Sequence, residues 1–81
     1  MIALEILSQI EMKFVGKAKE IQGPEVFIQR GQLLDTRAFT RFQIGVKQLV
    51  KIDIVDKQDP TPYWLIASRN PEVLAGLINK R

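Results

Sequence analysis

The stretch Asp56-Lys57-Gln58-Asp59-Pro60-Thr61-Pro62-Tyr63-Trp64-Leu65-Ile66-Ala67-Ser68-Arg69-Asn70-Pro71 decides the fold. It holds the only Trp, the only Tyr and three of the four prolines of an 81-residue chain. Pro60 and Pro62 each fix φ near about −65° and remove a backbone donor. They also push Asp59 and Thr61 toward extended backbone. The Asp59 carboxylate is suited to accept the N–H two residues on, which favours a turn. The sequence therefore predicts a stiff corner that feeds a strand. Residues 63–68 are rich in strand formers and contain no breaker. Tyr63, Leu65 and Ala67 share one face; Trp64, Ile66 and Ser68 share the other. Apolar side chains on both faces predict a central strand covered twice.

A helix start follows at once. Asn70 suits the N-cap, Pro71 the first helical position, and Glu72 the positive end of the helix dipole. Val73, Leu74, Leu77 and Ile78 lie at helical spacing and predict the buried stripe. Gly76 is read as the point where the helix comes close to the sheet. Lys80 and Arg81 complement the negative end. About ten residues do not make a stable isolated helix, so this one must dock on the sheet.

Outward toward the N-terminus, residues 48–56 alternate cleanly, with Val50, Ile52 and Ile54 inward against Lys51 and Asp53. Residues 38–44 alternate too, and Gly45 allows a turn, so the two segments are predicted to form a hairpin. The corner then leads to the third strand beside it. Residues 32–37 read as a loop. Residues 25–30 read as a short helix entered through Pro24, stopped by Gly31 and buried through Val26, Phe27 and Leu33. A strand over 25–29 is the alternative. Residues 2–7 and 11–19 read as two further strands, paired antiparallel. Met12 and Phe14 point one way and Lys13, Lys17 and Lys19 the other, with Gly16 marking a bulge. A helix through residues 2–15, on Ile2, Ile6 and Ile10, competes with that reading. The expected fold class is α+β: a mostly antiparallel sheet of about five strands, a short middle helix and a C-terminal helix. Length and the absence of linkers or repeats predict a single domain over 1–81.

Composition narrows function by exclusion. The chain has no cysteine and no histidine, which removes disulfides, thiol chemistry, the commonest metal ligand and the commonest general base. No apolar run approaches the length of about 18 residues needed to span a bilayer, and the first residues lack a signal-peptide pattern. Twelve Lys and Arg against nine Asp and Glu give a net charge of +3. That mild excess fits either an anionic partner or an ordinary solvated surface.

The residues from Val50 through Ala75 resemble the C-terminal signature of a family of actinobacterial membrane proteins of unknown function, close to V-x-V-x-x-x-D-P-x-D-P-T-P-Y-W-L-V-S-T-R-x-P-x-x-L-A. Asp59, Pro60, Thr61, Pro62, Tyr63, Trp64, Arg69, Pro71, Leu74 and Ala75 match it. Upstream, Arg30-Gly31 and Asp35-Thr36-Arg37-Ala38-Phe39 are similar to its R-G and D-x-R-A-Y stretches. The chain departs from the family at Gln43-Ile44-Gly45, where the family carries an Arg-Pro-Trp-like run. The resemblance implies two transmembrane helices followed by a cytoplasmic, pleckstrin-homology-like portion. This chain would then be an excised soluble domain or a member without its anchor, placed at the cytoplasmic face of the membrane in the full-length protein.

The candidate sites are few. Asp53, Asp56 and Asp59 lack the further ligand or pocket that metal or acid–base chemistry requires, so no catalytic residue, metal or cofactor is assigned. Arg69 and Asn70 stand before a helix N-terminus, where an anion or lipid headgroup meets N–H groups and a guanidinium; the competing reading pairs Arg69 with Asp59 or Asp56. Lys13, Lys17 and Lys19 are the candidate basic stripe. Asp59, Pro60, Pro62, Tyr63 and Trp64 form either an interaction surface or a core signature. The function expected is a non-enzymatic, membrane-proximal interaction or regulatory domain that contacts a protein or an anionic membrane. A free-standing basic module for nucleic acid or another anion is the alternative, weakened because Phe14, Phe39, Phe42 and Trp64 are few and sit among apolar neighbours. An uncovered edge at residues 2–7 would permit a homodimer.

Overall fold

The computed structural model describes residues 12–80. The strand expected over 2–7, its pairing, the homodimer edge and Arg81 lie outside the described residues, as does the competing helix over 2–15 up to residue 11; residues 12–15 are a 3-10 turn and the start of a strand, not α-helix. A 3-10 turn, Met12–Phe14, opens the described chain. Then come β1 (Val15–Ile21), α1 (Glu25–Arg30), β2 (Phe39–Arg41), β3 (Leu49–Ile54), β4 (Tyr63–Ala67) and α2 (Pro71–Asn79). The four strands lie in the order β1-β3-β4-β2. β1 and β4 both run antiparallel to β3, and β2 runs parallel to β4. The class is α+β as expected, but the sheet is mixed and four-stranded among the described residues.

The central-strand reading of residues 63–68 holds. Tyr63, Leu65 and Ala67 join Ile21, Val26, Val46 and Leu49 on one face. Ile66 joins Val15, Ala18, Val50, Ile52 and the α2 residues Leu74, Ala75 and Ile78 on the other, with Trp64 packed at its margin. Burial of each large aliphatic side chain stabilises the fold by about 1.5–3 kcal/mol.

The predicted hairpin between 38–44 and 48–56 does not form. Only Phe39–Arg41 is extended, and it pairs with β4 through Phe39↔Trp64, Thr40↔Leu65 and Arg41↔Ile66. The reason is β4 itself. A strand apolar on both faces must sit inside the sheet, between two others, so β4 takes β3 on one side and β2 on the other. Residues 42–48 therefore cross the end of the sheet instead of turning tightly. Gly45 does turn, at φ +82°, with Val46 N–H donating to the Gln43 carbonyl at 3.1 Å.

The strand expected over 11–19 begins only at Val15. Its pairing with β3 slips between Val15 and Ala18, where Gly16 was read as a bulge. A Cβ on Gly16 would stand 3.1 Å from the Asp53 Cβ. The edge of β1 is capped by α2: the Ala18 N–H donates to Asn79 Oδ1, and Asn79 Nδ2 donates to the Ala18 carbonyl, each at 2.8 Å. One side-chain amide thus imitates a neighbouring strand and occupies pairing groups that an edge would otherwise expose.

The middle helix forms, but its buried face is Val26 and Gln29; Phe27 and Leu33 point to solvent. A six-residue helix buries only one side, and Val26 and Gln29 (i, i+3) take it. On α2, likewise, Pro71, Leu74, Ala75 and Ile78 are buried while Val73 and Leu77 are exposed. The predicted stripe was rotated by part of a turn. Gly76 faces away from the sheet, with nothing within 4 Å of the position its Cβ would take, so it permits no close approach. Asn70 is the N-cap residue and Pro71 opens the helix, yet the Asn70 side chain makes no capping bond. Ser68 Oγ instead accepts the Asn70 N–H at 3.2 Å.

Candidate functional site

Strand direction divides the candidate residues between two ends of the sheet. Val15, Ile54 and Tyr63 mark one end, where the Asp-Pro-Thr-Pro corner and Lys13 lie. Ile21, Leu49 and Ala67 mark the other, where residues 22–24, 42–48 and 68–70 meet.

At the corner end, the aspartates and Tyr63 are engaged internally. Asp56 Oδ1 accepts the Gln58 N–H and Asp59 Oδ1 accepts the Thr61 N–H, both at 2.9 Å. The Thr61 N–H, seconded by the Thr61 side chain, holds the Asp59 carboxyl below its ordinary range. The turn anticipated at Asp59 is therefore present. Tyr63 is buried, and its hydroxyl accepts the Asp35 N–H at 3.0 Å while donating to the Leu33 carbonyl at 3.3 Å. Arg37 forks onto both oxygens of Asp35 and holds that carboxyl low. Pro60 is exposed and Pro62 half-buried. Trp64 is half-buried, its ring 4.7 Å from that of Phe39. Of this signature, Tyr63 is core and the aspartates shape the turn. Among the described residues, no group of acidic side chains is placed to hold a metal.

The proposed cations do not form one site. Lys13 falls in the 3-10 turn at the corner end, so the stripe of three lysines on one strand face is incorrect. Lys17 and Lys19 do alternate on β1; Lys19 pairs with Glu25 at 3.3 Å, and Lys17 lies in a shallow cleft with Lys51 and Asp53. Arg69 and Asn70 are exposed at the opposite end. Arg69 makes no ion pair with Asp56 or Asp59: it follows Ser68, whose N–H donates to the Gln48 carbonyl across the far end of the sheet. The aromatics of the nucleic-acid reading are scattered as well. Phe14 lies at the corner end, Phe42 at the other, and Phe39 stacks on Trp64.

The end away from the corner holds what the sequence did not single out. Phe27 is 81% exposed and Ile44 fully so. Between them lies Arg30, its guanidinium 4.2 Å from the centre of the Phe42 ring. A cleft of about 470 Å³ runs between α1 and Lys47, lined by Val26, Phe27, Arg30, Lys47 and two glutamines. A second hollow shares Arg30 and Lys47 and continues to Phe42 and Ile44. No carboxylate lines either one. The signal in the sequence was Ile44 beside the turn glycine, where a large aliphatic has no interior to enter.

A model for a protein family of unknown function, DUF3093, matches residues 7–78. The chain belongs to the DUF3093 family. No curated protein and no solved structure matches it. In this DUF3093 member no helix among the described residues is long and apolar enough to cross a membrane.

Proposed function

We propose that this chain is a non-enzymatic, membrane-proximal interaction domain that meets an anionic membrane surface with the end opposite its corner. The observation that carries the reading is the continuous apolar and basic surface of Phe27, Arg30, Phe42, Ile44 and Lys47, with no carboxylate in its hollows. Exposed aromatic and aliphatic groups suit the acyl boundary, and the cations suit lipid phosphates. The resemblance of residues 59–75 to membrane-anchored actinobacterial proteins supports the same placement, at the cytoplasmic face.

The test is co-sedimentation with phosphatidylglycerol or phosphatidylcholine vesicles at low and high salt. Salt-sensitive binding to the anionic vesicles alone is expected. Each basic residue near such a surface contributes about 1 kcal/mol. Reversing both charges in Arg30→Glu/Lys47→Glu should thus weaken binding by more than about tenfold. Equal binding to both vesicles, or none to either, removes the membrane reading.

A further inference from the structure

We infer that the cleft between α1 and Lys47 seats a single anionic amphiphile, its apolar body between Val26 and Phe27 and its anionic head between Arg30 and Lys47. This rests on the interaction surface proposed above and adds a ligand with defined chemistry and a stoichiometry. The cleft volume of about 470 Å³ lies within the range of about 300–1,000 Å³ usual for small-molecule sites. Its lining is divided as such a ligand requires. Val26 is buried and forms the wall; Phe27 is exposed and free to close over an alkyl chain. The two cations share the hollow with Gln22 and Gln48; the Gln48 amide, and the Gln22 amide hydrogen not given to Glu20 at 3.1 Å, supply neutral donors for a phosphate or carboxylate.

The Arg30 side chain is held by a ring, and the backbone that carries Lys47 is fixed. Arg30 lies against the Phe42 ring, an arrangement that lowers the cost of fixing a long side chain. Lys47 stands between buried Val46 and Gln48, whose carbonyl accepts the Ser68 N–H at 3.1 Å. Among the described residues neither cation has a carboxylate partner; Glu20, which accepts from the Gln22 amide at 3.1 Å, pairs with neither. A purely apolar ligand would leave two cations desolvated, and a cationic one would be repelled.

The experiment titrates the chain with decyl phosphate below its micelle concentration, followed by amide chemical shifts. Inorganic phosphate and decyltrimethylammonium serve as comparators, and phosphatidylglycerol vesicles run in parallel. Saturable one-to-one binding of decyl phosphate is expected, with shifts centred on Val26, Phe27, Arg30, Lys47 and Gln48. Phe27→Ser and Arg30→Glu/Lys47→Glu should each weaken it at least about tenfold, while Lys57→Glu, at the corner end, should bind as the parent does. These side chains are exposed, so an unchanged melting temperature separates loss of the site from loss of the fold. Equal binding by the cationic amphiphile, unsaturable binding, or unchanged affinity in the charge-reversed variant overturns the inference. Vesicle binding without one-to-one binding overturns it too, leaving the membrane reading intact. One-to-one binding without vesicle binding upholds the site and assigns its ligand to solution.

Discussion

The two ends of the sheet differ in what their polar groups meet: aspartates bonded within the chain at one, cations beside aromatic and aliphatic groups at the other. At the corner end Asp56 and Asp59 each accept a backbone N–H two residues on, Asp35 takes the Arg37 fork, and Tyr63 joins two backbone groups. At the other end the Phe42 ring is the partner Arg30 has among the described residues, and Phe27 and Ile44 face water. A surface whose polar groups are satisfied within the chain has little left to offer a ligand. One whose apolar groups are uncovered and whose cations lack counter-charges gains free energy when something covers it.

The largest expected effect tests this contrast directly. Tyr63→Ala removes a buried ring and its bonded hydroxyl, and substitutions of this kind cost about 3–5 kcal/mol. A domain near this size often has a total stability of the same order, so the variant is expected to be largely unfolded. Tyr63→Phe keeps the ring and should cost about 1 kcal/mol, read as a lower urea midpoint with vesicle binding retained. Ile44→Ser should do the reverse: stability within about 0.5 kcal/mol of the parent, vesicle binding reduced. A destabilised Ile44→Ser, or an unaffected Tyr63→Phe, would erase the distinction between the ends.

Next come two substitutions expected to stabilise. Gln29 is buried in α1, and its Oε1 has no hydrogen-bond partner. Gln29→Met keeps the length of the side chain and removes that unsatisfied oxygen, for a gain of about 1 kcal/mol. Gly76→Ala meets open space and should gain about 0.5–1 kcal/mol through helix propensity. Denaturant unfolding reads both. A loss in Gly76→Ala would mean that α2 does approach the sheet at that point, as the sequence had suggested.

Local chemistry was legible and pairing was not. The corner, the strand after it and the helix start at Pro71 are dictated by residues a few positions apart, so they could be read directly. The partner of β2 depends on which segment takes the second edge of β3, and β1, far away in sequence, takes it; alternation in residues 38–44 carries no information about that outcome. Periodicity also left the helix faces ambiguous: Val73 and Leu77 fit an apolar stripe as well as Leu74 and Ile78 do, and only docking on β1 and β3 separates them. The interacting end was hardest to read, because exposed Phe27 and Ile44 look in sequence like candidates for the core.

Acid should act on one end before the other. The Asp35 carboxyl is held below its ordinary value of 3.8 chiefly by the Arg37 side-chain hydrogen bond, and Asp59 chiefly by the Thr61 N–H. A carboxyl whose pKa is depressed on folding stabilises the native state above its unfolded pKa, and that contribution disappears as pH falls through the folded value. Stability should therefore be level from pH 7 down to about pH 4 and decline below it. Amide exchange at Arg37 and Thr61 should rise there first. Asp59 is exposed and Asp35 half-buried at the surface, where solvent screens such contacts, so the effect should be the smallest of the series. The opposite cleft is lined by no carboxylate, so binding of anionic vesicles should persist down to pH 4. Asp35→Asn/Asp59→Asn retains side-chain acceptors but has no charge to titrate; it should flatten the decline below pH 4. If the decline is unchanged in that variant, the acid sensitivity lies elsewhere, and the corner's polar contacts do not set it.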